Sequence, residues 1–108
     1  MIWYKLIACF FTGVFFTNAV PHFVHGVSGD RFPTPFAKPP GRGLSSPFLN
    51  VIWALINLVA GTLCAYGAGL PEVPAVGIVV LFAGIAAMAM RLSYALSKMR
   101  DGKNSTIG

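Results

Sequence analysis

Charged residues are scarce in this sequence, and acidic residues are the scarcest of them. Only 10% of the 108 residues are charged, whereas soluble proteins carry roughly a quarter. A chain with so little polar surface is neither a disordered tail nor a water-soluble domain. The three acidic residues are Asp30, Glu72 and Asp101, and all of them lie outside the long apolar runs. Ion-coupled transporters and proton pumps usually place Asp or Glu inside their spans, so this absence argues against those classes.

Cysteine is also rare. Cys9 and Cys64 both fall inside apolar runs and form no CxxC or other metal-ligand spacing. Two cysteines exclude a secreted disulfide scaffold. A disulfide between them is one alternative, but we expect two thiols that pack as small apolar groups.

The net charge of +5 does not indicate nucleic-acid binding. The basic residues lie outside or at the ends of the apolar runs, a placement typical of membrane topology and of contact with anionic headgroups. We therefore expect membrane lipid, and not nucleic acid, as a partner.

Hydrophobic residues make up 56% of the sequence and gather in three runs, at about 2–24, 47–70 and 73–97. About 20 apolar residues suffice for a helix to cross the hydrocarbon core. The runs lack the alternation of strands. The sequence therefore predicts an all-α integral membrane protein, with a single membrane domain over 1–108 and three transmembrane helices.

The first connection, 26–45, is long and rich in proline and glycine, and we expect it to be an interfacial linker, a partner-docking loop or a ligand-covering loop. Its segment 32–36 should be extended. Phe32 and Phe36 are costly to leave in water, so they should pack on the helix ends or enter the membrane interface. Ser46 and Pro47 predict a helix start, 70–74 predicts a short turn, and the tail 98–108 should fray from residue 101 onward.

The distribution of Lys and Arg predicts the orientation. With three spans, the N-terminus and the second connection share one side, which carries Lys5 alone. The other side carries seven basic residues: Arg31, Lys38, Arg42, Arg91, Lys98, Arg100 and Lys103. The positive-inside rule then places the N-terminus outside and the C-terminus in the cytoplasm.

Polar residues within a span usually face other helices or a cavity. On the first helix, Asn18, His22 and His25 recur at helical spacing on one face. The second helix has a stripe of mostly small residues: Asn50, Ala54, Asn57, Gly61, Cys64 and Ala68. The third has a stripe composed of Gly77, Val80, Gly84, Ala87, Arg91 and Tyr94. Such stripes mark close helix contacts, and we expect Gly61 and Gly84 to face protein.

The direction of the spans brings several of these groups to one level. We expect Asn18, His22, Asn50 and Arg91 to form one polar cluster near the cytoplasmic side, because unpaired polar groups in hydrocarbon are expensive. The candidate ligand-binding residues are Asn18, His22, His25, Asn50, Asn57, Arg91, Phe32 and Phe36.

Each candidate also has a structural interpretation. His22 and His25 are weak candidates for metal or haem ligation, because no third ligand is expected nearby and Asp30 lies beyond two glycines. The two asparagines of the second helix can join helices or line a transport site. Arg91 can extend to the headgroups or serve as a counter-ion to a ligand.

Several motifs resemble a known family. The segments 18–23 (NAVPHF), 26–29 (GVSG), 32–36 (FPTPF) and 43–46 (GLSS) resemble a family of small, uncharacterised bacterial integral membrane proteins. The resemblance covers about residues 12–61 and implies a bacterial setting, with the chain as a multi-pass protein of the cell inner (plasma) membrane. It implies no activity and no site residues.

Three functions are consistent with these patterns. The first is an interaction protein, an accessory or self-associating subunit of a membrane complex, with a protein partner or a second copy. The second is a lipid-, quinone- or haem-binding protein with a polar pocket at the cytoplasmic mouth. An enzyme or transporter ranks last, because two histidines without an acid, a nucleophile or a full set of metal ligands are a weak basis for catalysis.

Overall fold

The computed structural model describes residues 2–40, 43–69 and 75–107, and in these ranges the chain is all-helical apart from one connection. Three helices follow in order: α1 (Ile2–Val27), α2 (Pro47–Ala68) and α3 (Ala75–Ile107). All three are long and apolar enough to cross a membrane, over Trp3–Val27, Pro47–Ala68 and Ala75–Arg100. The prediction of an all-α chain with three long apolar helices is confirmed.

Local sequence explains where the first two helices meet their connection. α1 passes through Pro21 and ends at Val27, and Gly29 then takes a positive φ of 79° that reverses the chain. α2 begins as expected, with Ser46 accepting a hydrogen bond from the Leu49 backbone N–H and Pro47 in the first turn. Its other end is capped by Gly69 at φ 71°. The expected turn at 70–74 lies outside the described residues.

The expectation of a frayed tail was wrong. The backbone of α3 continues through 98–107 as helix. The turn-forming residues there include glycine, asparagine and serine but no proline, and a single residue of those types costs a helix only about 1 kcal/mol. α3 is therefore 33 residues long, the longest of the three described helices.

The first helix is the central one. α1 packs against α2 and also against α3, whereas no Cα atoms of α2 and α3 in the described residues lie within 8 Å of each other. α1 and α2 are antiparallel, since Phe16 contacts Gly61 whereas Gly26, further along α1, contacts Val51, which is earlier in α2. The bundle is thus a layer with α1 in the middle and a cleft beside it between α2 and α3.

Glycines allow the close approach of the helices, as the sequence predicted. A Cβ at Gly61 would lie 2.6 Å from the ring of Phe16, and a Cβ at Gly84 would overlap the backbone carbonyl oxygen of Phe10. Gly13 makes the reciprocal approach to the backbone of α3 at Leu81. Gly61 and Gly84 therefore face protein, which confirms that prediction.

The two predicted stripes differ in outcome. The buried residues of α2 are Asn50, Ala54, Asn57, Gly61 and Ala68, all of which belong to its stripe. On α3, Gly77 and Gly84 are buried, but Ala87, Arg91 and Tyr94 are exposed. The prediction that Ala87, Arg91 and Tyr94 make close helix contacts was therefore wrong. α3 packs on α1 alone, and beyond Gly84 it borders the open cleft.

Candidate functional site

A buried hydrogen bond between α1 and α2 is the centre of the polar region. His22 Nδ1 lies 2.8 Å from Asn50 Oδ1. Asn50 is fully buried and His22 is only 5% exposed. Both residues were predicted to meet at this level, and the structure joins them directly.

The partners of Asn50 determine which atom of the histidine carries a proton. The Asn50 amide group Nδ2 donates to the backbone carbonyls of Phe32 (2.9 Å), Ser45 (3.3 Å) and Ser46 (3.0 Å). Since carbonyls only accept, Oδ1 must be the atom that faces His22, and Nδ1 must donate to it. In the neutral imidazole the second nitrogen, Nε2, then carries a lone pair.

A second hydrogen-bonded pair, between the amides of Asn18 and Asn57, joins the same two helices one turn earlier on α1. Asn57 Nδ2 donates to the Trp53 carbonyl at 2.9 Å, which leaves Asn57 Oδ1 to accept from Asn18 Nδ2 at 3.0 Å. The Asn18 side chain therefore presents its own Oδ1 as a free acceptor. Asn57 serves as a bond between helices and is 3% exposed.

The 28–46 connection is folded over the ends of α1 and α2. Phe32 and Ser45 pair as an isolated antiparallel bridge, and the hydroxyls of Thr34 and Ser45 lie 2.5 Å apart. The Phe36 N–H bonds the Thr34 hydroxyl, and the Ala37 N–H bonds the Thr34 carbonyl. The chain therefore turns after Thr34, and the expectation of an extended segment through residue 36 was wrong, because Thr34 supplies turn acceptors.

The aromatic side chains of the connection contact the helix ends. Phe32 stacks on His25, with ring centroids 4.2 Å apart and planes at 13°, and meets His22 edge-on at 5.3 Å. Phe36 meets Trp53 edge-on at 5.2 Å and remains 57% exposed. The prediction that the two phenylalanines pack on the helix ends is confirmed.

A cavity of about 260 Å³ opens in the cleft between α2 and α3, beneath this connection. α1 contributes Asn18 and His22, and α2 contributes Trp53. The remaining lining residues come from the connection and from α3: Phe32, Pro33, Thr34, Pro35, Arg91, Leu92, Ala95 and Leu96. One end of the cavity is therefore polar and the side against α3 is apolar.

Two polar atoms of α1 have no hydrogen-bond partner among the described residues, and both belong to residues that line the cavity. No hydrogen bond within the described residues involves His22 Nε2 or Asn18 Oδ1. No buried side-chain nitrogen or oxygen in those residues lacks a partner, so neither atom is sealed inside protein. Both residues line the cavity, which is the open space available to these atoms.

Arg91 lines the same cavity but does not join the hydrogen-bonded group. Its side chain is exposed, and none of the hydrogen bonds or ion pairs among the described side chains includes it. The predicted single cluster is therefore two separate pairs, His22–Asn50 and Asn18–Asn57, and the expectation that Arg91 bonds within it was wrong, because the Arg91 side chain is exposed on α3. Asn50, by contrast, lies behind His22 and is absent from the lining.

His25 is outside the cavity. Its Nδ1 lies 3.5 Å from Asp30 Oδ2, and its ring is covered by Phe32. The expectation that Asp30 is out of reach was wrong, because the turn at Gly29 brings the chain back: the Asp30 N–H bonds the His25 carbonyl at 2.9 Å. Within the described residues, no three His, Cys, Asp or Glu side chains could hold a metal ion.

Sequence reasoning missed several residues of the site. Trp53, Leu92 and Leu96 line the cavity, yet in the sequence they are ordinary apolar residues of spans. Thr34 and Ser45 hold the connection closed and are almost fully buried. A threonine between two prolines in a loop was the available signal. Cys9 and Cys64 are free thiols on α1 and α2 and take no part in the cavity.

No family model, no curated protein and no solved structure matches this chain. The resemblance to small bacterial membrane proteins stays a prediction.

Proposed function

We propose that this protein is a multi-pass protein of a bacterial inner membrane that binds the headgroup of a membrane amphiphile. The observation that carries the proposal is the cavity itself, because its lining combines Arg91 with His22 and Asn18, each of which has an acceptor without a partner among the described residues. A cleft open between α2 and α3 gives a lipid chain lateral access from the bilayer.

The surface of the helices supports membrane insertion. Large apolar side chains are exposed along all three helices, including Val59, Leu63 and Phe82 at 60–66%. Such a surface is costly in water and favourable in hydrocarbon. Tyr66 and Tyr94, at opposite ends of the bundle, are 88% and 66% exposed, as interfacial aromatic residues are.

The size of the cavity favours a headgroup over an enclosed cofactor. Sites that surround a drug-sized ligand span roughly 300–1,000 Å³, and this cavity has about 260 Å³. A haem macrocycle would not fit without separating the helices. His25 is also unsuited as a second haem ligand, since it stacks on Phe32 and pairs with Asp30.

We expect the N-terminus to lie outside and the C-terminus in the cytoplasm, because the Lys and Arg residues divide one against seven between the two sides. The cavity would then open in the cytoplasmic leaflet. A reporter that is active only in the cytoplasm, fused after Gly108, should be active, and one fused before Met1 should be silent. The reverse pattern would contradict this orientation.

A second function is favoured by the exposure of α3. Only 11% of its most apolar window is buried within the chain, against 28% for α1, and α2 does not cover it. An accessory or self-associating subunit would use this helix as its contact with a protein partner or a second copy.

Native mass spectrometry of the whole protein, released from bilayer nanodiscs, separates the two functions. Headgroup binding predicts a monomer that retains one lipid mass after the other lipids are removed by activation. The subunit function predicts a dimer or a larger species. A bare monomer under mild activation would contradict both.

A further inference from the structure

We propose that the cavity selects an anionic headgroup that also carries hydroxyls, as in a glycerophosphoglycerol lipid. This inference rests on the proposed function and specifies its ligand. The cavity offers a cation on one side and two hydrogen-bond acceptors on the other, so the matching ligand has an anion and two donors.

The first acceptor is Nε2 of His22. The Asn50 amide is held by three backbone carbonyls, which compels Nδ1 to be the donor of the His22–Asn50 bond. His22 is 5% exposed and no carboxylate contacts it within the described residues. Burial without an opposite charge favours the neutral ring, so Nε2 faces the cavity as a lone pair that requires a donor from the ligand.

The second acceptor is Oδ1 of Asn18, one turn before His22 on the same face of α1. The bond from Asn57 Nδ2 to the Trp53 carbonyl fixes the orientation of that amide, and Asn57 Oδ1 accepts a hydrogen bond from Asn18 Nδ2. Asn18 therefore turns its carbonyl oxygen to the ligand. Two neighbouring acceptors match two hydroxyls of a glycerol group, whereas an oxidised quinone presents only carbonyl acceptors and would leave both unpaired.

The cation is Arg91. Its guanidinium lines the cavity, and no carboxylate among the described side chains pairs with it, since Asp30 pairs with His25. A guanidinium binds a phosphate through two parallel hydrogen bonds. Leu92, Ala95 and Leu96 continue from Arg91 along α3 and provide apolar surface for the first carbons of an acyl chain.

Binding of four ligands to the detergent-solubilised full chain tests the expected preferences for an anion, for hydroxyls and for an acyl chain. The ligands are phosphatidylglycerol, phosphatidylmethanol (anionic without a hydroxyl), phosphatidylcholine, and free sn-glycerol 1-phosphate. Hydrogen bonds to the ligand hydroxyls favour binding modestly, and bonds to a charged phosphate favour it more. We therefore expect phosphatidylglycerol to bind about tenfold more tightly than phosphatidylmethanol, and phosphatidylmethanol about tenfold more tightly than phosphatidylcholine.

Two variants should separate the two preferences. Arg91→Gln should abolish the preference for phosphatidylmethanol over phosphatidylcholine, whereas Arg100→Gln, which removes a cation on the same helix away from the cavity, should leave it intact. In His22→Asn the new amide can still donate to Asn50 but has no atom at the position of Nε2. Because the Asn18 acceptor remains, that variant should reduce the preference for phosphatidylglycerol over phosphatidylmethanol about threefold and retain the full preference for anions.

The outcomes distinguish the two proposals. Binding of all three lipids with equal affinity would overturn the headgroup inference while leaving amphiphile binding in place. Absence of binding by any lipid would overturn the proposed function as well. Binding of free glycerol phosphate as tightly as the lipid would assign the site to a soluble phosphate ester. If His22→Asn fails to fold, Arg91→Gln still decides the anion preference, because Arg91 is exposed.

Discussion

The variant Gly84→Leu is expected to lose the packed three-helix arrangement. At this position the α3 backbone meets the α1 backbone so closely that a Cβ would overlap the Phe10 carbonyl oxygen. Backbone atoms cannot rotate away as a side chain does, so the helices must separate along their whole contact. We expect a loss of at least about 3 kcal/mol in the free energy of unfolding, measured by thermal or denaturant unfolding in detergent.

Gly67→Leu is the matched control for this experiment. Gly67 is also in a helix, is exposed, and has no atom within 4 Å of an added Cβ. A leucine there should leave stability unchanged or raise it slightly, because glycine is a poor helix former. Equal stability of the two variants would show that α1 and α3 do not approach each other at Gly84.

Asn50→Leu is expected to detach the 28–46 connection and to destabilise the protein by about 3 kcal/mol, since a buried unsatisfied donor costs roughly 1–3 kcal/mol and several hydrogen bonds are lost together. Asn50 joins His22 by hydrogen bonds to the backbone at Phe32, Ser45 and Ser46. The cavity would lose its cover. Unfolding in detergent reports the loss of stability, and limited proteolysis reports opening of the connection.

Thr62→Val is the control for removal of a polar group. Thr62 is on the same helix, but it is exposed and its hydroxyl bonds only the Leu58 carbonyl of its own helix, at 2.8 Å. Its replacement should change neither stability nor proteolysis. A similar small effect for Asn50→Leu would mean that the connection is held closed by its own contacts, such as the Thr34–Ser45 hydroxyl pair.

The sequence predicted the α2 face well and the α3 face poorly, for a physical reason. On α2, small and amide side chains recur at helical spacing, and one neighbour, α1, covers that face along its length. On α3 the same spacing continues through Arg91 and Tyr94, but the neighbouring surface ends at the cleft. Periodicity indicates which residues share a helix face. How far a neighbouring helix covers that face depends on the tertiary packing.

In the connection between α1 and α2, too, some features could be predicted from the sequence and others could not. Composition alone predicted that Phe32 and Phe36 pack on the helix ends, because large apolar side chains are costly in water. The turn at Thr34 and the approach of Asp30 to His25 depend on hydrogen bonds and on the positive φ of Gly29. Such contacts reverse the direction of the chain within a few residues, so they leave no periodic pattern in the sequence from which they could be predicted.

Three features could be predicted from the amino-acid pattern alone: the three long apolar helices, the buried residues of α2, and the polar groups that occur at one level. Run length, spacing and the cost of unpaired polar groups suffice for those conclusions. The three-dimensional arrangement was needed to show that α1 lies between α2 and α3, that Asn50 bonds the buried side of His22, and that Arg91 lines the same cavity as Asn18 and His22. The direction of each amide and the width of a cleft follow from how the helices meet, because each is set by partners that are distant in the chain.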